Sequence, residues 1–429
     1  MWTFLRMFDR LIKEGIVLSP YRVLDLTTER GLLCGQMLGD LGADVIKVEP
    51  PGGSPARRLG PFYQDQSHPD RSLFWWAYNR NKRSITLDLN TDDGKTLLRR
   101  LVAKAHFLIE SENPGVLAAR GLGYADLAAI NPALVYVSIT PFGQDGPKAS
   151  CADSDLVILA ASGPLVLSGD EDRAPVRVSV PQGYAHAGAQ AAVAALIAHH
   201  ERQRSGRGQH VDVSAQQAAA QATQAGILAA ALGEREFLRL AGGVKMGPIK
   251  VRLVWPAKDG YVSIVFLFGS AVAHFTRRLM EWICEEGFCD AATRDKDWVA
   301  MGALFLGEPE AIVEYERLCQ IVENFARSKT KNELLQAALD RVLLIAPLLT
   351  VEEVLNSEQL AARDYWRSLE HPELSQSFPY PGPFAKFGAS PIAYRRRPPM
   401  VGEHNREIYV DDLGMTETQV AELQQKGVI

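Results

Sequence analysis

Between residues 22 and 142 the chain alternates short apolar strand signals with helical ones, and this alternation constrains the fold more than any other feature. Residues 22–27, 44–49, 84–89, 106–110 and 134–140 read as strands. Residues 31–41, apolar at 33, 37, 38 and 41, read as a helix, and so do 91–104. Short strands alternating with helices imply βαβ units and a largely parallel sheet. Ligands on such sheets sit beyond the carboxyl ends of the strands. The loops after Thr27, Glu49, Glu110 and Thr140 are therefore where a site is expected.

Length adds that 429 residues make two or three domains. Lys+Arg 46 against Asp+Glu 51 gives a net charge of −5, so no basic surface argues for nucleic acid. Five scattered cysteines fit a reducing cytoplasm and not a disulfide framework. Cys284 and Cys289 are spaced too widely for a zinc hairpin and no histidine cluster joins them, so no metal is expected. Residues 1–18 read as an amphipathic helix and not as a signal peptide. The Ala-rich stretches 185–198 and 214–232 carry Gln and read as buried helices, so no membrane partner is expected.

Gly242, Gly243, Gly247 and Pro248 look like a linker. Residues 250–266 read as two strands turning at Asp259-Gly260, followed by helices to about 365. Residues 372–400, rich in Pro and Gly, read as extended connecting chain. Thr416 with Gln419 forms a capping-box pattern for a terminal helix. The expected organisation is a large domain beginning with 1–215, a linker 216–248, a small domain 249–370, and a return of 371–429 to the large domain.

The strands lack a Gly-x-Gly-x-x-Gly turn and a Walker loop, which disfavours nicotinamide and nucleotide-triphosphate chemistry. No Gly-x-Ser-x-Gly elbow marks a hydrolase. Two basic runs, Arg57-Arg58 and Asn79-Arg-Asn-Lys-Arg83, read either as solvated loops or as phosphate ligands. Asp153 and Asp155 precede the apolar run 156–161. A carboxylate there is either an N-cap or a reactive group at a helix start. The nine histidines form no evident triad, and Trp75-Trp76 reads as core or interface.

Several stretches together resemble the class III CoA-transferase family, which includes acyl-CoA racemases. They are Leu38-Gly-Asp-Leu-Gly-Ala-Asp-Val-Ile-Lys-Val-Glu-Pro-Pro-Gly-Gly53, Asn79-Arg-Asn-Lys-Arg-Ser-Ile-Thr-Leu-Asp-Leu89, Asn131-Pro-Ala-Leu-Val-Tyr-Val-Ser-Ile-Thr140 with Phe142-Gly-Gln-Asp-Gly-Pro147, and Ser205-Gly-Arg-Gly-Gln-His-Val-Asp-Val-Ser214. Val401-Gly-Glu-His404 and the closing Lys-Gly-Val-Ile resemble the family's tail. The match is poor across roughly 235–370.

The resemblance implies an α/β fold: a Rossmann-like parallel-sheet large domain built from both chain ends, a smaller α+β domain between them, and an interlocked dimer. It implies a CoA-transferase moving CoA from an acyl-CoA, commonly succinyl-CoA, to a carboxylic acid. Asp155 falls on the family's nucleophile and would pass through a mixed anhydride and an aspartyl-CoA thioester. Arg30, Asn81, Lys82, Asn113 and Arg120 fall on or near the coenzyme-binding positions. CoA is then a substrate, with no permanently bound cofactor. Partners would be the acyl-CoA, the acid, and a second copy or a homologous subunit. The resemblance leaves two alternatives: an acyl-CoA racemase or epimerase, and a non-catalytic subunit of a heteromeric transferase. The chain departs from the family's Glu-Asn-Phe-Arg-Pro-Gly turn at Ser111, Glu112 and Asn113, which removes a cation. Leu159 stands where the family commonly has Gln.

Overall fold

The computed structural model describes residues 17–233, 239–246, 249–304 and 309–429. The amphipathic helix expected within 1–18 lies almost wholly outside these residues, as do Gly247 and Pro248. The chain divides into two compact units. The larger comprises Met1–Leu165, Arg177–Arg235 and Leu360–Ile429, and the smaller Val166–Val176 and Glu236–Gln359.

The larger unit is built on six parallel strands: β1 (Arg22–Asp25), β2 (Asp44–Glu49), β3 (Lys82–Thr86), β4 (Phe107–Glu110), β5 (Val135–Thr140) and β6 (His210–Ser214). Their order is β3-β2-β1-β4-β5-β6. Strand order therefore reverses between β1 and β4, and a crevice opens at their carboxyl ends. Strands β3, β4 and β5 are buried along their whole length; β4 and β5 are largely apolar, whereas β3 begins with two cations that are ion-paired inside the fold.

Both faces of the sheet are covered. One carries α1 (Leu32–Asp40), α5 (Asp155–Ser162), α6 (Gly183–Ser205) and α7 (Ala215–Ala220); on it Val23, Val45, Ile109, Val137, Ile158 and Ala191 share a core. The other carries α3 (Asp92–Val102), α4 (Tyr124–Ile130) and the closing helix Glu417–Gln425, around Leu24, Ile46, Leu98 and Ile408. Helix α2 (Leu73–Asn79) packs with α1. Thr416 and Gln419 form the expected capping box. Small residues let α6 lie close on α1: a Cβ at Gly188 would stand 3.1 Å from Leu33 Cβ.

The smaller unit holds an antiparallel sheet of β9 (Val254–Ala257), β10 (Gly260–Ile264) and β11 (Ile345–Pro347), plus a ribbon of β7 (Gly243–Met246) and β8 (Ile249–Arg252). The Asp259-Gly260 turn falls where the sequence places it. Helices α9 (Ala273–Glu285), α10 (Pro309–Ser328) and α11 (Lys331–Arg341) close a core around Trp255, Phe266, Met280, Trp298 and Phe325.

Three expectations change. Residues 216–233 are helical, in α7 and α8 (Gln224–Ala231), and sit in the larger unit instead of forming a linker. Helix α8 does not bury its apolar residues: Ile227 and Leu228 are more than half exposed. The Pro/Gly-rich return begins with an antiparallel hairpin, Arg367–His371 with Gln376–Tyr380. Buried His371 and Tyr380 hydrogen-bond across it (Nε2 to OH, 2.9 Å). Among the described residues no helix is long and apolar enough to cross a membrane.

Candidate active site

The crevice between β1 and β4 is closed by side chains from their two loops. Thr28 N–H donates to Ser111 Oγ at 2.8 Å. Arg30 donates through Nη1 to Asn113 Oδ1 at 2.7 Å and through Nη2 to Asp153 Oδ1 at 2.5 Å. The other Asp153 oxygen accepts from the Tyr184 hydroxyl. Burial, and the Asp153 carboxylate it donates to, push the Tyr184 phenol above its ordinary range and keep it a donor. Beside this chain lies a cavity of about 220 Å³, lined by Leu26, Thr27, Val48, Pro55, Leu89 and Arg120 among others.

Asp155 is the first residue of α5, and Ser154, not an aspartate, caps that helix by accepting from Val157 N–H. Asp155 Oδ1 instead accepts from two backbone donors at the start of another helix, Gln182 N–H at 2.6 Å and Gly183 N–H at 2.8 Å. The carboxylate thus meets the amino ends of α5 and α6, where unpaired N–H groups and the helix dipoles favour negative charge. Glycine is required at 183 for this approach: a Cβ there would lie 2.8 Å from Ile158 Cγ2. Oδ2, although buried, accepts no hydrogen bond from the described residues. Its nearest cation is Arg177 Nη1, 3.7 Å away. A buried carboxylate oxygen without a donor is uncommon.

Comparison with known proteins decides the family. The family model described as CoA-transferase family III matches residues 18–405. The chain belongs to CoA-transferase family III. Among curated relatives of this transferase, the succinyl-CoA:(R)-benzylsuccinate CoA-transferase subunit BbsE of Thauera aromatica is 34% identical over 397 residues, covering 92% of this chain and 93% of its own. The succinyl-CoA–D-citramalate CoA-transferase of Chloroflexus aurantiacus is 33% identical over 421 residues, covering 96% and 98%. A crystal structure of a CAIB/BAIF family protein from Brucella suis superposes with a TM-score of 0.76 at 28% identity, covering 91% of this chain and 98% of that one.

The transferase does not present every residue that its sequence suggests. Lys82 is wholly buried, and its ammonium donates to Asp25 Oδ2, Leu32 O and Asn79 Oδ1, each at 2.9 Å. Asn81 is buried at the amino end of β3. It donates to Asp40 Oδ1 (2.8 Å) and Ala393 O (3.1 Å), and it accepts from Arg395 N–H (2.7 Å). Neither side chain can meet a coenzyme phosphate without breaking these bonds. The rest of the basic run is paired too, Arg80 with Asp40 at 2.7 Å and Arg83 with Asp44 at 2.6 Å. Arg57 is locked to Glu49 at 2.6 Å. The run 79–83 and Arg57 are thus not solvated, whereas Arg58 is exposed. Arg30, Asn113 and Arg120 remain at the crevice; the first two bond directly.

Sequence reasoning missed Tyr184, Gln182, Gly183 and Arg177, because the contacts that tie them to the aspartates join residues far apart along the chain. It also missed Glu110, at the carboxyl end of β4. Glu110 Oε2 accepts from Glu112 N–H at 2.7 Å. Burial pushes its carboxyl up to about 7; bonds from Ser138 and Glu112 oppose this, and the Glu112 and Asp212 charges add to it. Ser138 Oγ in turn pairs with His210 Nε2 at 2.9 Å. No histidine among the described residues bonds to Asp153 or Asp155, and no group of three or more His, Cys, Asp or Glu among them is placed to hold a metal.

Proposed function

We propose that this transferase moves CoA from an acyl-CoA donor, succinyl-CoA among them, to a carboxylic acid acceptor by covalent catalysis at Asp155. The carrying observation is the asymmetry of its carboxylate: Oδ1 is fixed by two backbone N–H groups, while Oδ2 has no hydrogen bond. Oδ2 attacks the thioester carbonyl, the C–S bond breaks, and CoA leaves as thiolate. The thiolate then attacks Cγ of the anhydride, which releases the donor acid and leaves an aspartyl-CoA thioester. The acceptor carboxylate reverses the two steps. The thioester is exchanged and never hydrolysed, so its energy is retained provided water is excluded.

Arg30, Asn113 and Arg120 stand at the cavity and loops beyond β1 and β4, and we assign them to the coenzyme. Arg30 supplies a fixed cation near the position where the family's turn has lost one. Relatives named for succinyl-CoA support that donor. The relative named as a subunit, with the apolar surface of α8 left exposed here, supports a working form with two chains, identical or homologous. The reaction belongs in the cytoplasm, where free thiols persist.

The test is chemical. Succinyl-CoA without acceptor should leave an enzyme thioester that hydroxylamine or borohydride traps at Asp155, located by peptide mass spectrometry. Asp155→Ala should lose the adduct and all transfer while keeping a native circular dichroism spectrum. Wild-type transfer by that variant would refute the assignment.

A further inference from the structure

Arg177 faces the one oxygen of Asp155 that nothing else holds. Its Nη1 lies 3.7 Å from Oδ2, and its side chain is 42% exposed while that of Asp155 is 12% exposed. Among the described residues its only other bond is from Nη1 to Val178 O at 3.3 Å. The fork is therefore half in solvent, with most of its donors unspent and its charge toward the reacting atom. A guanidinium matches a carboxylate geometrically and presents two parallel donors to it.

From this geometry we infer that Arg177 is the acid-binding residue of the transferase, holding the carboxylate of the departing donor acid and of the incoming acceptor. The inference rests on the reading of Asp155 as nucleophile and deepens it. When Oδ2 attacks the thioester, it becomes the bridging oxygen of the anhydride, and Asp155 loses its charge. When the CoA thiolate attacks Cγ, the Cγ–Oδ2 bond breaks and that oxygen leaves on the donor acid with a full negative charge. The anion opposite Arg177 is thus regenerated on the same atom, now belonging to a free acid. The acceptor takes the same place before its oxygen attacks the aspartyl thioester. Before acylation, and in each complex of the aspartyl thioester with an acid, one carboxylate faces one guanidinium; in the anhydride the charge lies on the CoA thiolate. An acid in the site beside ionised Asp155 would put two anions on one cation, so acids bind well only after Asp155 is acylated. That ordering follows from charge alone.

Asp155→Asn mimics the uncharged, acylated state and allows a test without turnover. Succinate is titrated by calorimetry into wild type, Asp155→Asn and the double variant Asp155→Asn/Arg177→Gln, each with saturating CoA. Asp155→Asn should bind succinate at least tenfold more tightly than wild type, and the double variant should lose at least tenfold again. Arg177→Lys in the Asn background should restore part of the affinity, which a purely steric role would not. In turnover, Arg177→Gln should raise KM for the acid about tenfold and leave KM for the acyl-CoA within twofold. Equal succinate affinity with and without Arg177, or no binding to Asp155→Asn, overturns the inference. Failure of the covalent route would show separately, as no trapped thioester in wild type whatever the titrations give.

Discussion

Two aspartates of the larger unit, Asp25 and Asp155, both lie near the carboxyl end of the sheet and both face cations, yet their surroundings are opposite. Asp25 is completely buried and saturated. Its Oδ1 accepts from Thr27 N–H (2.9 Å), Thr27 Oγ1 (2.6 Å) and Lys47 (3.2 Å), and its Oδ2 from Lys82 (2.9 Å). Burial alone would raise its carboxyl, but Lys47 and Lys82 outweigh it and hold the group at about 2. Even the helix above is shaped to it: a Cβ at Gly35 would fall 2.2 Å from Oδ2. Asp155 has one oxygen fixed and one left over. A filled set of hydrogen bonds holds a side chain in place, and an unfilled one leaves an oxygen available to a ligand.

The same substitution at both sites separates these roles most strongly. Asp155→Asn should reduce CoA transfer by roughly four orders of magnitude, as loss of a covalent nucleophile does. It should shift urea-unfolding stability by no more than about 1 kcal/mol. Asp25→Asn leaves Lys47 and Lys82 buried without their counter-ion, and should cost on the order of 3–5 kcal/mol of stability. The fraction of that variant still folded should keep near-normal specific activity. Loss of activity at Asp25 beyond the loss of folded protein would break the contrast.

Glu110 is intermediate, bonded yet without a cation, and its effect should appear in the pH dependence of stability. Burial raises its folded value to about 7 from an ordinary 4.5. Between those values the folded chain keeps a proton that the unfolded chain releases, so stability falls as pH rises through this window and stays lower above it. The contribution is about 3 kcal/mol at pH 8. Glu110→Gln should flatten the slope and be the more stable protein at pH 8; urea titrations across pH 5–8 would show it. An unchanged slope would mean another group carries it.

The smallest effect is expected at Asp153, which orients Arg30 and touches no reacting atom. Asp153→Asn should raise KM for the acyl-CoA up to about tenfold, roughly 1.4 kcal/mol of binding, with kcat within threefold. A fall in kcat as large as that of Asp155→Asn would shift the nucleophile two residues toward the amino terminus.

Much of the scaffold was legible because it is local. Strand periodicity placed β1, β2, β4 and β5, and the Asp259-Gly260 turn and the Thr416 capping box need only neighbouring residues. The hairpin at 367–380 was not legible, since Pro372 and Pro379 mask its strand pattern. The extent of the larger unit was not legible either, because only packing decides whether the Ala-rich helices at 215–231 belong to it or to a linker.

By itself, the sequence determined the parallel sheet and the kinship with CoA-transferase family III. Tertiary structure alone decided what each charged side chain does. Lys82 and Arg30 are both cations near one crevice in the linear text. One spends all three donors inside the protein, and the other reaches its rim. Likewise Asp155 becomes distinct from Asp25 only when Gln182 and Gly183, far along the chain, bring their N–H groups to one oxygen and leave the other bare. The physical reason is that hydrogen-bond saturation depends on all neighbours at once, while strand and helix periodicity depend on a few consecutive residues.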